Sequence, residues 1–184
     1  MLRSLLTTIV LTATALSTSA QLKVGDALPA VEVVGLSQTE ATSFGDFYGR
    51  TVLLEFFAHW CQPCALSLPH LNELQEKFGA RGFSVVAVTS STPKQAEPWI
   101  QKHGGKYAFG YDKNGELQRA FNVTGIPFGA LIDPYGMIVW TGHPGRLADE
   151  VVEAALAGAL ERPVWQWPAE LKPLAGLLRA GDFA

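Results

Sequence analysis

The sequence predicts an α/β domain in which a central mixed β-sheet is flanked by helices, and three observations carry that expectation. Thr51–Phe57 (TVLLEFF) and Phe83–Thr89 (FSVVAVT) are apolar, β-favouring runs about one strand long. Each is followed by a segment that reads as a helix: Pro63–Lys77, which sets Leu71, Leu74 and Phe78 on one face, and Pro93–His103, with Trp99 and Ile100 as its apolar positions. Later in the chain, Phe128–Asp133 and Met137–Thr141 flank Pro134-Tyr135-Gly136, residues suited to a hairpin turn. Two βα units, a hairpin and a closing helix suit a mixed sheet covered on both faces.

The remaining elements follow in order. Met1–Ala20 opens with Arg3, continues through an apolar core from Leu5 to Leu16 and ends in small residues, which is the layout of a signal peptide cleaved before Gln21. That core is short for a membrane span, which needs about 20 residues. Residues 21–50 form an entry segment with a short strand expected at Val31–Val34 and a polar stretch carrying Phe44, Phe47 and Tyr48. Tyr107–Tyr111 reads as a strand, Asp112-Lys113-Asn114-Gly115 as a turn, and Glu116–Phe121 as a short helix. The alanine-rich stretch Leu147–Leu160 predicts the closing helix. Residues 21–160 make the domain, and 161–184 a C-terminal extension holding Trp165 and Trp167, with a short helix expected over Leu171–Leu178. A strap packed on the domain and a partner-docking element are both open for it.

With 184 residues, 48% of them hydrophobic and 17% charged, the chain can bury a proper core, and its composition is not that of a disordered protein. A net charge of −3 offers no basic surface, so no nucleic-acid partner is expected. Two cysteines cannot build a multi-disulfide scaffold, and one Cys-x-x-Cys supplies half of a four-thiolate zinc site. No metal and no cofactor are expected.

Those two cysteines, Cys61 and Cys64, stand where the TVLLEFF strand gives way to the Pro63–Lys77 helix. The first N–H groups of a helix lack internal partners and carry the positive end of its dipole, so a thiolate there is stabilised. Pro63 fits the first turn, which does not need its missing N–H. Cys61 is therefore the candidate nucleophile and Cys64, one turn inside, the resolving thiol. Such a pair can close a small ring and exchange electrons with another disulfide.

These residues resemble the thioredoxin superfamily, whose Trp-Cys-x-Pro-Cys signature stands here as Trp60-Cys61-Gln62-Pro63-Cys64. Glu55 matches in position the acid that thioredoxins bury before the motif, Pro69 the proline that kinks the active-site helix, and Pro127 the cis-proline that faces the disulfide. The entry segment and the long stretch between Cys64 and Pro127 resemble the N-terminal strand extension and central insertion of the periplasmic TlpA and ResA branch. The resemblance implies a thioredoxin-like fold and an exported thiol–disulfide oxidoreductase that reduces a disulfide-containing protein substrate. It also implies an upstream thiol electron donor, membrane-bound, and apocytochrome c or an oxidase copper-site protein among the substrates. Trp60, Pro63, Ile126 and Pro127 would face the substrate, with the Ile126 backbone presented to an extended strand. Glu55 would take the proton of Cys64; the alternative is that it pairs with a lysine at the sheet edge.

Competing readings differ at particular residues. An oxidase or isomerase would share the whole site, and the pair between the cysteines decides; Gln62-Pro63 resembles the Glu-Pro and Gly-Pro of reducing members. Peroxiredoxins place Thr and Pro where Ala58 and Leu54 stand here. A copper-delivery module would need one more residue between the cysteines. His59, His70, His103 and His143 are scattered, and His59 is the one whose charge would favour the Cys61 thiolate.

Overall fold

The structure, a computed structural model, describes residues 21–174; the expected leader, and the part of the expected tail helix beyond Leu174, lie outside the described residues. A six-stranded sheet runs through it: β1 (Val34–Ser37), β2 (Thr51–Phe56), β3 (Phe83–Thr89), β4 (Ala108–Tyr111), β5 (Phe128–Ile132) and β6 (Ile138–Gly142), in the order β1-β4-β3-β2-β5-β6. The βα crossovers make β2, β3 and β4 parallel, while β1, β5 and β6 join antiparallel. Every residue of the central pair β2 and β3 is buried, which is why apolar residues fall on both faces of each run instead of alternating.

Alternation along β2 sorts its side chains between two cores. Leu53 and Phe57 join Leu68, Leu71 and Leu74 of helix α1 (Gln62–Phe78), Ile100 of α2 (Pro93–His103) and Val152 of α4 (Asp149–Ala155). Val52, Leu54 and Phe56 point the other way, onto Phe44, Phe47 and, at α3 (Glu116–Ala120), Leu117 and Phe121. Glu55 shares the face of Leu53 and Phe57, beneath α1 and α2.

Two elements differ from their expected positions. The first strand lies at Val34–Ser37 and not at Val31–Val34. Gly35, with φ of +61°, falls within a register shift in the pairing of Val34 with Tyr111 and Ser37 with Phe109. Val33 precedes the ladder and packs over Gly110, where an added Cβ would come within 2.5 Å of it, so its apolar character reflects packing and not pairing. The closing helix is Asp149–Ala155, shorter than Leu147–Leu160. Gly158 turns the chain at φ +81°, and the Leu160 N–H then donates to the Gly49 carbonyl at 2.7 Å.

Beyond Leu160 the chain crosses the domain end that holds Arg50. The buried guanidinium spends all five donors there: Nε on Ser84 Oγ, Nη1 on the carbonyls of Leu160 and Glu161, and Nη2 on those of Gly79 and Phe83. Burial lowers its pKa to about 10. Val164 is buried, Trp165 meets Phe47 edge-on at 5.2 Å between ring centres, and Trp167 Nε1 donates to the Arg162 carbonyl.

Candidate redox site

Strand β2 delivers the site. After Phe56 the chain leaves the sheet, Phe57 N–H donates to the Val88 carbonyl, and a turn closes with Cys61 N–H on the Ala58 carbonyl at 2.9 Å. Cys61 is thereby the N-cap of α1, with Pro63 in its first turn. Its sulfur takes the place of the usual capping oxygen, accepting the Cys64 N–H at 3.1 Å. A thiolate at Cys61 would receive both that donor and the helix dipole. The two sulfurs are bonded at 2.04 Å, with the Cα atoms 5.3 Å apart. Both residues are buried, while Trp60 before them is 71% exposed and Gln62 and Pro63 between them are exposed as well.

Trp60 also walls a groove of about 610 Å³ that reaches Ser91 and Gln95 on one side and Thr124, Gly125 and Ile126 on the other. His59 is the one ionisable side chain lining it, and its Nδ1 lies 3.0 Å from Ser91 Oγ. The Ile126–Pro127 peptide is cis, and Pro127 is buried where β5 begins. Trp60 and Ile126 thus share the groove, whereas Pro63 is exposed on the first turn of α1 and does not line it.

Glu55 occupies a separate place. It pairs with Ala87 of β3 and Gly129 of β5 in the middle of the sheet and is buried. Its described partner is the Tyr107 hydroxyl, which donates to Oε2 at 3.3 Å. Among the described residues the ion pairs are Lys77–Asp149 and Arg81–Glu153, both on the surface, so no lysine serves Glu55. Burial pushes the Glu55 carboxyl up to about 8, opposed by the smaller effect of the Tyr107 hydrogen bond. The Tyr107 phenol is raised as well, by burial first and then by the carboxylate. Tyr107 went unread as a site residue: in sequence it is only the aromatic start of a strand, and its meeting with Glu55 joins residues 52 apart. The other histidines lie elsewhere, His70 against the Leu147 carbonyl and His103 against the Trp99 ring.

This constellation, a disulfide capping a helix on a six-stranded mixed sheet, can be compared with known proteins. The family model described as Redoxin matches residues 23–156. The chain belongs to the Redoxin family. Among curated relatives, thiol-disulfide oxidoreductase ResA of Bacillus thuringiensis subsp. konkukian (strain 97-27) is 30% identical over 95 residues, covering 51% of this chain and 55% of that protein. ResA of Oceanobacillus iheyensis is 28% identical over 138 residues, 73% of this chain and 67% of that one. The chain thus spans about half the length of the former relative and two thirds of the latter. A crystal structure from Chlorobium tepidum, of a candidate thiol:disulfide interchange protein DsbE, superposes with a TM-score of 0.67 at 30% identity, covering 74% of this chain and 99% of that one. The thioredoxin domain of a Bacteroides vulgatus thiol-disulfide oxidoreductase, at 21% identity and TM-score 0.62, shares the fold. These likenesses bear out the thioredoxin-like fold expected from the motif.

Proposed function

We propose that this Redoxin-family chain is a thiol–disulfide oxidoreductase that works outside the cytoplasm and passes electrons from its dithiol to protein disulfides. The observation that carries the reading is the Cys61 sulfur at the N-cap of α1, next to an exposed Trp60 and an open groove. In the reduced protein Cys61 attacks a substrate disulfide, forming a mixed disulfide and releasing one substrate thiolate. Cys64, deprotonated, then attacks Cys61; the ring closes and the second substrate sulfur leaves, so two electrons pass to the substrate.

The reducing direction rests on the residues between the cysteines. Gln62 and Pro63 are uncharged and exposed, so neither adds a positive charge that would hold Cys61 as thiolate and so stabilise the reduced form. A redox titration against glutathione and dithiothreitol should place the pair nearer the thioredoxin value of about −270 mV than the DsbA value of about −120 mV. A potential at the oxidising end would make the chain an oxidase. Export is supported by the layout of Met1–Ala20, and among the described residues no helix is long and apolar enough to cross a membrane. Mass spectrometry of natively produced protein should find an N-terminus at or near Gln21, and intact Met1 would remove the compartment from the proposal. A membrane thiol carrier as donor, and cytochrome c or oxidase maturation as the pathway, are carried by the resemblance to TlpA and ResA.

A further inference from the structure

A small cavity lies between the sheet and the helices α1 and α2. Its walls are apolar at Phe57, Leu68, Trp99, Ile100 and Phe109, and the two polar side chains on it are Glu55 and Tyr107. It leaves about 10 Å³ for the centre of a water-sized sphere, which is about the room one water needs. Such a water would find its polar partners in the Glu55 carboxylate and the Tyr107 hydroxyl. Leu68, on the cavity wall, stands one helical turn after Cys64 on the same face of α1, about 6 Å along the helix axis from it. Gly105 completes the wall, where an added Cβ would press on Leu68 Cδ2 at 3.1 Å and meet the Tyr107 oxygen at an ordinary 3.9 Å.

We propose that Tyr107 is the positioning residue of the resolving step: its hydroxyl holds the Glu55 carboxylate at this cavity and favours its ionised form, so that Glu55 can accept the Cys64 proton through one water. The inference rests on the oxidoreductase reading above. The atoms balance simply. Cys64 gives its proton to Glu55, its thiolate displaces the substrate sulfur from Cys61, and the departing thiolate is protonated from solvent. Glu55 later returns its proton to water. The opposing influences on Glu55 make the tyrosine matter. Desolvation favours the neutral acid, which cannot accept a proton, and the hydroxyl is the one group described as favouring the charge. No cation stands on the cavity wall; of the elements packed against it, α1 carries Cys64 and α2 carries His103, whose ring lies 4.7 Å from that of Trp99 and tilted 43° to it.

Two measurements on Tyr107→Phe test this, with Glu55→Gln as the reference that identifies the Glu55 signal. Infrared difference titration of the oxidised protein reads the carboxyl of Glu55 without substrate. The midpoint should move up by about one pH unit in Tyr107→Phe, the scale of one hydrogen bond to a charge. Single-turnover release of a mixed disulfide should slow by about tenfold at pH 7 and recover above the shifted midpoint, and the tyrosine change should add nothing in the Glu55→Gln background. A merely structural tyrosine would lower thermal stability and leave the midpoint in place. If Tyr107→Phe folds poorly, 3-fluorotyrosine at the same position, a stronger donor of the same shape, should move the midpoint down. An unmoved midpoint, or a rate loss equal at every pH, overturns the inference. A shifted midpoint in a protein that does not resolve mixed disulfides keeps the tyrosine's influence on Glu55 but overturns the oxidoreductase reading and the proton relay with it.

Discussion

Glu55→Gln should make this protein more stable, and by an amount that depends on pH in a way few substitutions do. The carboxyl ordinarily titrates at 4.5 and is pushed up to about 8 in the fold. Below pH 4.5 folded and unfolded chains both hold the proton, and burial of the neutral acid costs nothing that varies with pH. Between 4.5 and 8 the unfolded chain ionises while the native one does not, so each pH unit removes about 1.4 kcal/mol of native stability. The loss reaches about 3 kcal/mol at pH 7 and levels off near 5 above pH 8; relaxation around a buried charge makes these upper values. Glutamine has nearly the same shape, can still accept the Tyr107 hydrogen bond and does not titrate. Urea denaturation of the two oxidised proteins, from pH 5 to pH 9, isolates the effect because every other group is shared and the cysteines are bonded. The difference should be small at pH 5 and grow in favour of Glu55→Gln toward pH 8. A constant difference across that range would mean that Glu55 is already ionised in the native state, and that burial does not control it.

Two further outcomes can be checked directly. Cys64→Ser should accumulate a mixed disulfide through Cys61 and Cys61→Ser should not, with Cys61 the thiol alkylated first in the reduced wild type near neutral pH; the reverse order of alkylation would exchange the roles. Arg50→Met leaves the buried Phe83 carbonyl and Ser84 hydroxyl without their donor, which should cost about 2 to 6 kcal/mol in urea unfolding and expose the chain after Leu160 to protease, while the reduction potential stays within about 10 mV; a stability change under about 0.5 kcal/mol would show that the clamp is dispensable.

The parts of the site that sequence reading finds are those whose chemistry is local. Cys61, Cys64 and Pro63 sit within one turn of the strand-to-helix junction, and their meaning follows from helix-terminus electrostatics alone. Pro127 lies far along the chain and was legible only through resemblance. Glu55 was legible as a buried acid because a strand with both faces covered buries whatever it carries. Its partner was not, since the pairing with Tyr107 depends on how the loop after α2 returns to the sheet. The same division holds for the fold. Runs such as TVLLEFF and FSVVAVT announce central strands by themselves. The first strand and the last helix were misplaced because their limits are set by distant contacts: Val33 on Gly110, and Leu160 on Gly49 beside Gly82. An added Cβ at Gly82 would come within 2.7 Å of the Ala159 side chain, a closeness of approach that no periodicity encodes.

The position of Arg50 also has a practical side. It stands just before β2 and Cys61 follows that strand's other end, so the six residues of β2, about 20 Å of extended chain, separate the guanidinium from the disulfide. The chain after Leu160 is therefore moored at the pole away from the chemistry. A bead, dye or second protein joined beyond Trp167 would pull on Arg50 and its carbonyls, at the opposite end of β2 from Trp60 and the disulfide.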